Sequence, residues 1–414
     1  MPLVMLENLA ARPCVIEFST AYFSTMDQPT PRYPDIGVVA FVPERWSPHW
    51  ASRHHMISRL SQAFHVVWVN PPHDRSGIAK RARDQRRQPA ITEVSPGLTV
   101  YTPEFWLPHL YRDTPIARAL VRLRVTRARQ ILTARGCTRI VAYLWRPEFA
   151  PFLDYAKWDA VCYHIDDDYA FSDDDVSLDP AEVRLIQRVD EVFIHSPGLM
   201  ARKGHLNPHT TYVPLGVDFK AFSSPAPEPS DLTAVPHPRV GYAGHLKLHL
   251  DWQLLRTLAA RHHDYSFVFI GGREPHPEIE PEIAALAQLP NVFFLGDKPS
   301  RDVPGYVQHF DVGIMPYRMT DYANLGSPLK LHEYLAAGLP SIGIPMRTLL
   351  EFGDVVTLCS GVDAWSDALV AAVGSEAKEE TRIRERQSRS REYDWEVLVG
   401  RVAARMIAAL ESDE

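Results

Sequence analysis

The sequence predicts an α/β protein of two doubly wound domains facing a cleft. Three observations carry that expectation: a length of 414 residues, short apolar runs alternating with helical patterns in both halves, and a proline-rich stretch between the halves. At roughly 100–200 residues per domain, the length fits two. With 45% hydrophobic and 23% charged residues, the chain has the composition of a packed, folded protein.

In the first half the apolar, β-branched runs are Gly37 to Val42, Val66 to Asn70, Ile140 to Trp145, Ala160 to Ile165 and Glu191 to His195. Each is nearly continuous in hydrophobicity and ends at a polar or Pro/Gly turn, as parallel strands buried on both faces should. Val15 to Phe18 is a further candidate strand. Residues 223–238 hold five prolines and few apolar residues, the composition of a linker. Beyond it, Arg239 to Ala243, Ser266 to Ile270, Asn291 to Leu295, Asp311 to Met315, Ser341 to Ile344 and Val355 to Leu358 repeat the alternation. The expected division is therefore 1–222, linker 223–238, second domain 239–388 and a C-terminal helix at 389–414. Trp395, Val399, Val402, Met406 and Leu410 recur at helical spacing, and this helix is expected to cross back to the first domain. Two such sheets place their carboxyl ends across a cleft, with closure through 223–238 as the expected hinge motion.

A formal charge of −7 argues against a nucleic-acid partner, which needs a broad basic surface. Charge is nevertheless local. Residues 75–87 are basic, and 114–135 carry Arg118, Arg122, Arg124, Arg127, Arg129 and Arg135 with no acid. Ile116, Leu120, Leu123 and Ile131 form a stripe there, open either to core packing or to contact with an anionic membrane surface. Four cysteines without CxxC spacing fit no zinc site and no disulfide scaffold, so a reducing cytoplasm is expected. Neither a secretory leader nor an apolar run of about 18 residues is present.

The chemistry concentrates in Asn324-Leu-Gly-Ser-Pro-Leu-Lys-Leu-His-Glu-Tyr-Leu-Ala-Ala-Gly338. Gly326, Ser327 and Pro328 suit a turn into a helix, with Pro328 near the first helical position and the N–H groups of Leu329 and Lys330 free to face an anion. Lys330 adds a point charge, and Glu333 one turn on can accept two hydroxyls of a ribose. A capped surface helix with solvated Lys330 and Glu333 is the alternative. Gly244 and the pair Gly271-Gly272 follow strands and permit close backbone approach to a phosphate, or serve as plain turns.

In the first half, Tyr163-His164-Ile165-Asp166-Asp167-Asp168-Tyr169 closes a buried strand. Three adjacent carboxylates repel, which suits a general base for a hydroxyl, Asp166 first and Asp167 second. The run Asp173-Asp174-Asp175 favours the alternative of a solvated acidic loop. His164 reads as a strand histidine, and a metal role with Asp166 and Asp168 would need ligands from elsewhere. Trp46, Arg53 and His54 follow the first strand and are candidates for holding a sugar ring, Trp46 being equally suited to cap the sheet.

The order Ser327-Pro328-Leu329-Lys330-Leu331-His332-Glu333-Tyr334, then Ala337-Gly338-Leu339-Pro340, resembles the donor-binding segment of glycosyltransferase family four and its GT-B relatives. Phe310 to Tyr317 and Val213-Pro214-Leu215-Gly216-Val217-Asp218 extend the resemblance over most of residues 135 to 400, and the Asp166-Asp167 element resembles the subgroup related to teichuronic acid and exopolysaccharide synthesis. The resemblance implies a GT-B fold of two Rossmann-like domains, a nucleoside-diphosphate sugar as donor, no cofactor or metal, retention of anomeric configuration and a saccharide or lipid-linked acceptor. By it Gly244, His245, Lys247, Gly271, Gly272, Tyr317, Asn324, Ser327, Pro328, Leu329, Lys330 and Glu333 belong to the donor side, with Lys330, Asp166 and Asp167 catalytic. Two positions depart from the pattern: Leu325 stands where an acidic residue is usual, and His245 where an arginine is. A nucleotide-sugar epimerase and an inactive subunit of the same fold are the alternatives.

Overall fold

The structure, a computed structural model, describes residues 31–47, 50–72, 90–104, 114–169 and 177–412. Its first sheet contains β1 (Tyr33–Phe41), β2 (Phe64–Val69), β3 (Ile91–Ser95), β4 (Leu98–Tyr101), β5 (Arg139–Leu144), β6 (Ala160–Ile165), β7 (Glu191–Ile194) and β8 (Thr210–Tyr212), in the order β3-β4-β2-β1-β5-β6-β7-β8. Every pairing is parallel except β3 with β4. The second contains β9 (Arg239–Ala243), β10 (Ser266–Ile270), β11 (Val292–Gly296), β12 (Val312–Met315), β13 (Ser341–Gly343) and β14 (Thr357–Leu358), in the order β11-β10-β9-β12-β13-β14 and parallel throughout. The predicted apolar runs within the described residues form strands of these two sheets, displaced by a few residues at their ends. Val15 to Phe18 and the basic 75–87 segment lie outside the described residues.

Helices cover both faces. In the first domain these are α1 (Ser52–Leu60), α2 (Pro115–Thr133), α3 (Pro180–Arg188), α4 (Pro197–Lys203) and α5 (Phe219–Ser223). The second domain adds α6 (Trp252–Arg261), α7 (Glu280–Leu286), α8 (Val303–Val307), α9 (Leu329–Ala336), α10 (Arg347–Leu350), α11 (Val362–Val373) and α12 (Glu380–Arg391). Side chains that cap the helix starts do so as the sequence chemistry allows: Thr114, Asp179, Ser196, Asp218, Asp251 and Asp394 each accept a first-turn N–H.

α13 (Trp395–Glu411) crosses back as expected. Leu398, Val402, Met406 and Leu410 complete the core of the first sheet, and the Arg405 guanidinium pairs with the nearly buried Glu191 carboxylate of β7.

Two expectations need correction. On α2, the face turned to the sheet carries Ala117, Val125, Ala128 and Leu132, with Arg124 folded in, rather than the Ile116, Leu120, Leu123 and Ile131 stripe. Small residues win because the helix lies close to the sheet: a Cβ on Gly37 of β1 would sit 2.8 Å from Leu132. Ile116 is left 68% exposed and Leu123 38%.

The 223–238 segment is not a loose tether either. Leu232 and Val235 are buried in the second core, Asp231 accepts hydrogen bonds from Lys298 and Tyr306 at 2.6 Å each, and Gln308 Nε2 donates to the Phe222 and Ser224 carbonyls. It is a strap on the second domain.

Candidate active site

Each sheet reverses its strand order once the first strand of the domain is passed, between β1 and β5 in one and between β9 and β12 in the other. Chains diverge to opposite faces there, opening a crevice at the carboxyl ends of the strands. Both predicted clusters lie at these points.

In the second domain, Gly244 follows β9 with φ of +148° and Gly271 follows β10 with φ of +133°. A Cβ on Gly271 would lie 2.2 Å from the Gly244 carbonyl oxygen, so glycine alone lets these turns touch. α9 starts at Leu329 with Pro328 as its N-cap, one residue before the predicted position. The Leu331 N–H turns back to the Pro328 carbonyl. Leu329 and Lys330 therefore keep unpaired amides among the described residues. Beside them, Ser327 Oγ is buried and also lacks a partner among the described residues. Lys330 reaches back from α9, so that a Cβ on Gly244 would sit 2.5 Å from its Nζ. The ammonium lies 4.8 Å from the Tyr242 ring centre and 5.9 Å from that of Tyr317.

One turn on, burial pushes the Glu333 carboxyl up to about 7 although Lys330 pulls it down. A cation, two amides and a hydroxyl around a glycine turn make a nest for an anion, and the adjacent carboxylate can accept hydroxyls. His245 and Lys247 are exposed at its rim. Burial, then Lys247, lowers the His245 imidazole's affinity for a proton, and a Cβ on Gly272 would lie 3.5 Å from His245 Nε2. Asn324 stands apart: its Oδ1 accepts from the Arg347 N–H at 3.0 Å, and its carbonyl abuts Gly198 of the first domain.

In the first domain, the three consecutive carboxylates separate. Asp166 meets Arg53 at 2.5 Å on one oxygen and the Tyr169 hydroxyl on the other. Asp167 accepts from Tyr322 of the second domain at 2.9 and 3.1 Å. Asp168 is buried between Arg202 at 2.5 Å and Lys203 at 2.9 Å, and Lys203 also binds Glu182 at 2.8 Å. The repulsion expected between them is relieved by separate partners. His164 is a strand histidine: it meets the Tyr143 hydroxyl at 2.6 Å, stacks on Trp145 and is kept neutral by burial. His164, Asp166 and Asp168 thus face different neighbours and do not converge as ligands.

Arg53 also binds Glu44 at 2.7 Å, and its guanidinium lies 5.5 Å over the Trp145 ring. Sequence reading missed Glu44, Trp145 and Tyr169. They belong to no motif, and only their places just past β1, β5 and β6 single them out. Trp46 packs edge-on to Trp68 at 5.1 Å and its N–H is taken by Asn70, the sheet-capping alternative. His54 is buried against the same tryptophans, and burial lowers its pKa to about 4. Of the three acceptor-side candidates, Arg53 alone joins the network at the crevice.

Further contacts cross the domain junction. Ser196 Oγ donates to the Leu325 carbonyl at 2.6 Å, and the Trp50 N–H donates to Ser300 Oγ at 2.8 Å.

Residues 237–375 match the family described as glycosyl transferases group 1. TuaH of Bacillus subtilis (strain 168), named as a glycosyltransferase of teichuronic acid biosynthesis, is 27% identical over 358 residues, spanning 80% of this chain and 86% of that protein. Among solved structures, an α,α-trehalose-phosphate synthase (UDP-forming) from Burkholderia xenovorans in complex with glucose-6-phosphate superposes with a TM-score of 0.65 at 13% identity, covering 91% of this chain and 99% of that one. A glycosyltransferase from Rickettsia africae gives 0.65 at 10% identity with the same coverage. These two likenesses concern the fold. Through its second domain the chain belongs to the glycosyl transferases group 1 family, and it is a glycosyltransferase of the GT-B fold.

Proposed function

We propose that the chain moves a sugar from a nucleoside-diphosphate sugar, held at the Lys330 cluster, to a hydroxyl of a saccharide or lipid-linked saccharide in polysaccharide biosynthesis. The observation that carries this is the meeting of Lys330 Nζ with the Gly244 turn at the head of α9. There the diphosphate would find the Leu329 and Lys330 amides, Ser327 Oγ and the ammonium, while Glu333 takes the ribose. As the bond to the anomeric carbon breaks, negative charge grows on the departing diphosphate, where fixed cations and N–H dipoles are most effective. His245 supplies the rim in place of an arginine, with Lys247 beside it. Gly271, Gly272 and Tyr317 shape the pocket around them.

The name of the B. subtilis relative supports the polysaccharide setting. Resemblance to family four supports retention of configuration without metal or cofactor. Asp166 and Asp167 belong to the acceptor side, holding Arg53 and Tyr322 respectively. No helix among the described residues is long and apolar enough to cross a membrane. The outward stripe of α2, with Ile116 and Leu123 exposed beside Arg122, suits peripheral contact with anionic lipid at the inner face of the membrane.

Thermal unfolding with UDP, GDP and ADP tests the donor assignment, because a ligand of the native state raises its apparent stability. One of the three should raise the midpoint, and Lys330→Ala should abolish the rise. A midpoint unmoved by all three sinks the reading. The anomeric configuration of the product, read by proton NMR, tests retention.

A further inference from the structure

At the β1/β5 crevice three polar atoms are buried without a partner among the described residues: Glu44 Oε1, Arg53 Nε and Trp145 Nε1. Glu44 lies three residues past β1, Trp145 is the first residue past β5, and Arg53 joins them, 2.7 Å from Glu44 Oε2 and stacked over the Trp145 ring. Trp145 is 1% exposed. One carboxylate oxygen without a donor and two N–H groups without an acceptor complement a hydroxyl, which donates once and accepts twice. Asp166, by contrast, has one oxygen on Arg53 and the other on Tyr169.

We infer that Glu44 is the group that receives the hydroxyl proton of the acceptor, and that Asp166 is a positioning residue that holds Arg53. This rests on the transferase reading above. Arg53 fixes Glu44 through Oε2 and leaves Oε1 to the substrate, the arrangement of a base oriented by a second group. In the transfer step the acceptor oxygen bonds to the anomeric carbon, the bond from that carbon to the diphosphate oxygen breaks with its electron pair going to the diphosphate, and the acceptor proton passes to Glu44 Oε1. Burial raises the Glu44 carboxyl, Arg53 opposes this and Asp166 adds to it. Behind these groups stand Tyr169, with Arg146 over its ring, and His195, which is near Asp166.

The test uses the full chain, with whichever of UDP-glucose, UDP-N-acetylglucosamine and GDP-mannose the wild type consumes, and kinetics across pH. Glu44→Gln should lower kcat by about 100-fold or more, the scale of a lost general base, with nucleoside-diphosphate affinity and midpoint of unfolding unchanged. The acidic limb of the wild-type kcat profile should vanish in Glu44→Gln. In Asp166→Asn it should persist and move to lower pH, because a neighbouring negative charge has been removed. Glu44→Asp, which keeps the charge on a shorter stem, should retain the limb at reduced kcat and serves if Glu44→Gln fails to fold. Turnover by Glu44→Gln within threefold of wild type overturns the inference and leaves the transferase reading standing. So does a limb that survives in Glu44→Gln and disappears in Asp166→Asn. A wild type that binds nucleotide and consumes none of the three sugars overturns both.

Discussion

Glu333 titrates where its partner hydroxyls need it charged. Its carboxyl is raised from 4.5 to about 7, so one unit below that value only about a tenth remains ionised. Nucleoside-diphosphate affinity should therefore fall about tenfold between pH 8 and pH 6, and titration calorimetry on Glu333→Gln should show weaker binding with that dependence gone. The sign for stability is opposite. A carboxyl raised in the folded state favours folding below its unfolded value and loses that contribution as pH rises through about 7. Unliganded Glu333→Gln should accordingly melt above the wild type at pH 8 and level with it near pH 4. Residues such as Lys330 and Glu333 were legible because a turn, a helix start and a three-residue spacing place them together. Glu44 and Trp145 were not, since a lone residue past a strand end acquires its chemistry only when the sheet order brings two strand ends side by side.

Among the elements, the loop after β6 is anchored by a buried cluster in which Lys203 bridges Asp168 and Glu182, and the Tyr163 hydroxyl donates to Glu182. Lys203→Met would leave those two carboxylates buried with one cation fewer, and urea unfolding should show a loss of about 3–5 kcal/mol. The parallel strands could be read from sequence because burial on both faces writes a continuous apolar run. β3 and β8 could not: β3 is an antiparallel edge strand whose Ile91 and Glu93 face solvent, and β8 has only three half-buried residues. α2 misled for a related reason. Its large apolar residues were counted as the inward face, whereas the close approach at Gly37 selects alanines.

On the scale of the whole molecule, the two crevices are joined through side chains, with the Tyr322 hydroxyl on Asp167 the contact nearest both clusters. Tyr322→Phe removes a hydrogen bond to a charged acceptor, a contact of about 1.5–3 kcal/mol. It should enlarge the radius of gyration in X-ray scattering and lower kcat/KM about tenfold while nucleoside-diphosphate affinity holds. Equal scattering profiles would show the contact to be incidental. The return of α13 to the first sheet has a different consequence, for synthesis. The second domain is contiguous in the chain and can fold as it leaves the ribosome. The first must wait with Val213, Phe193 and the inner face of α1 uncovered until residues 395–411 have been made. The domain that begins first is the one that finishes last.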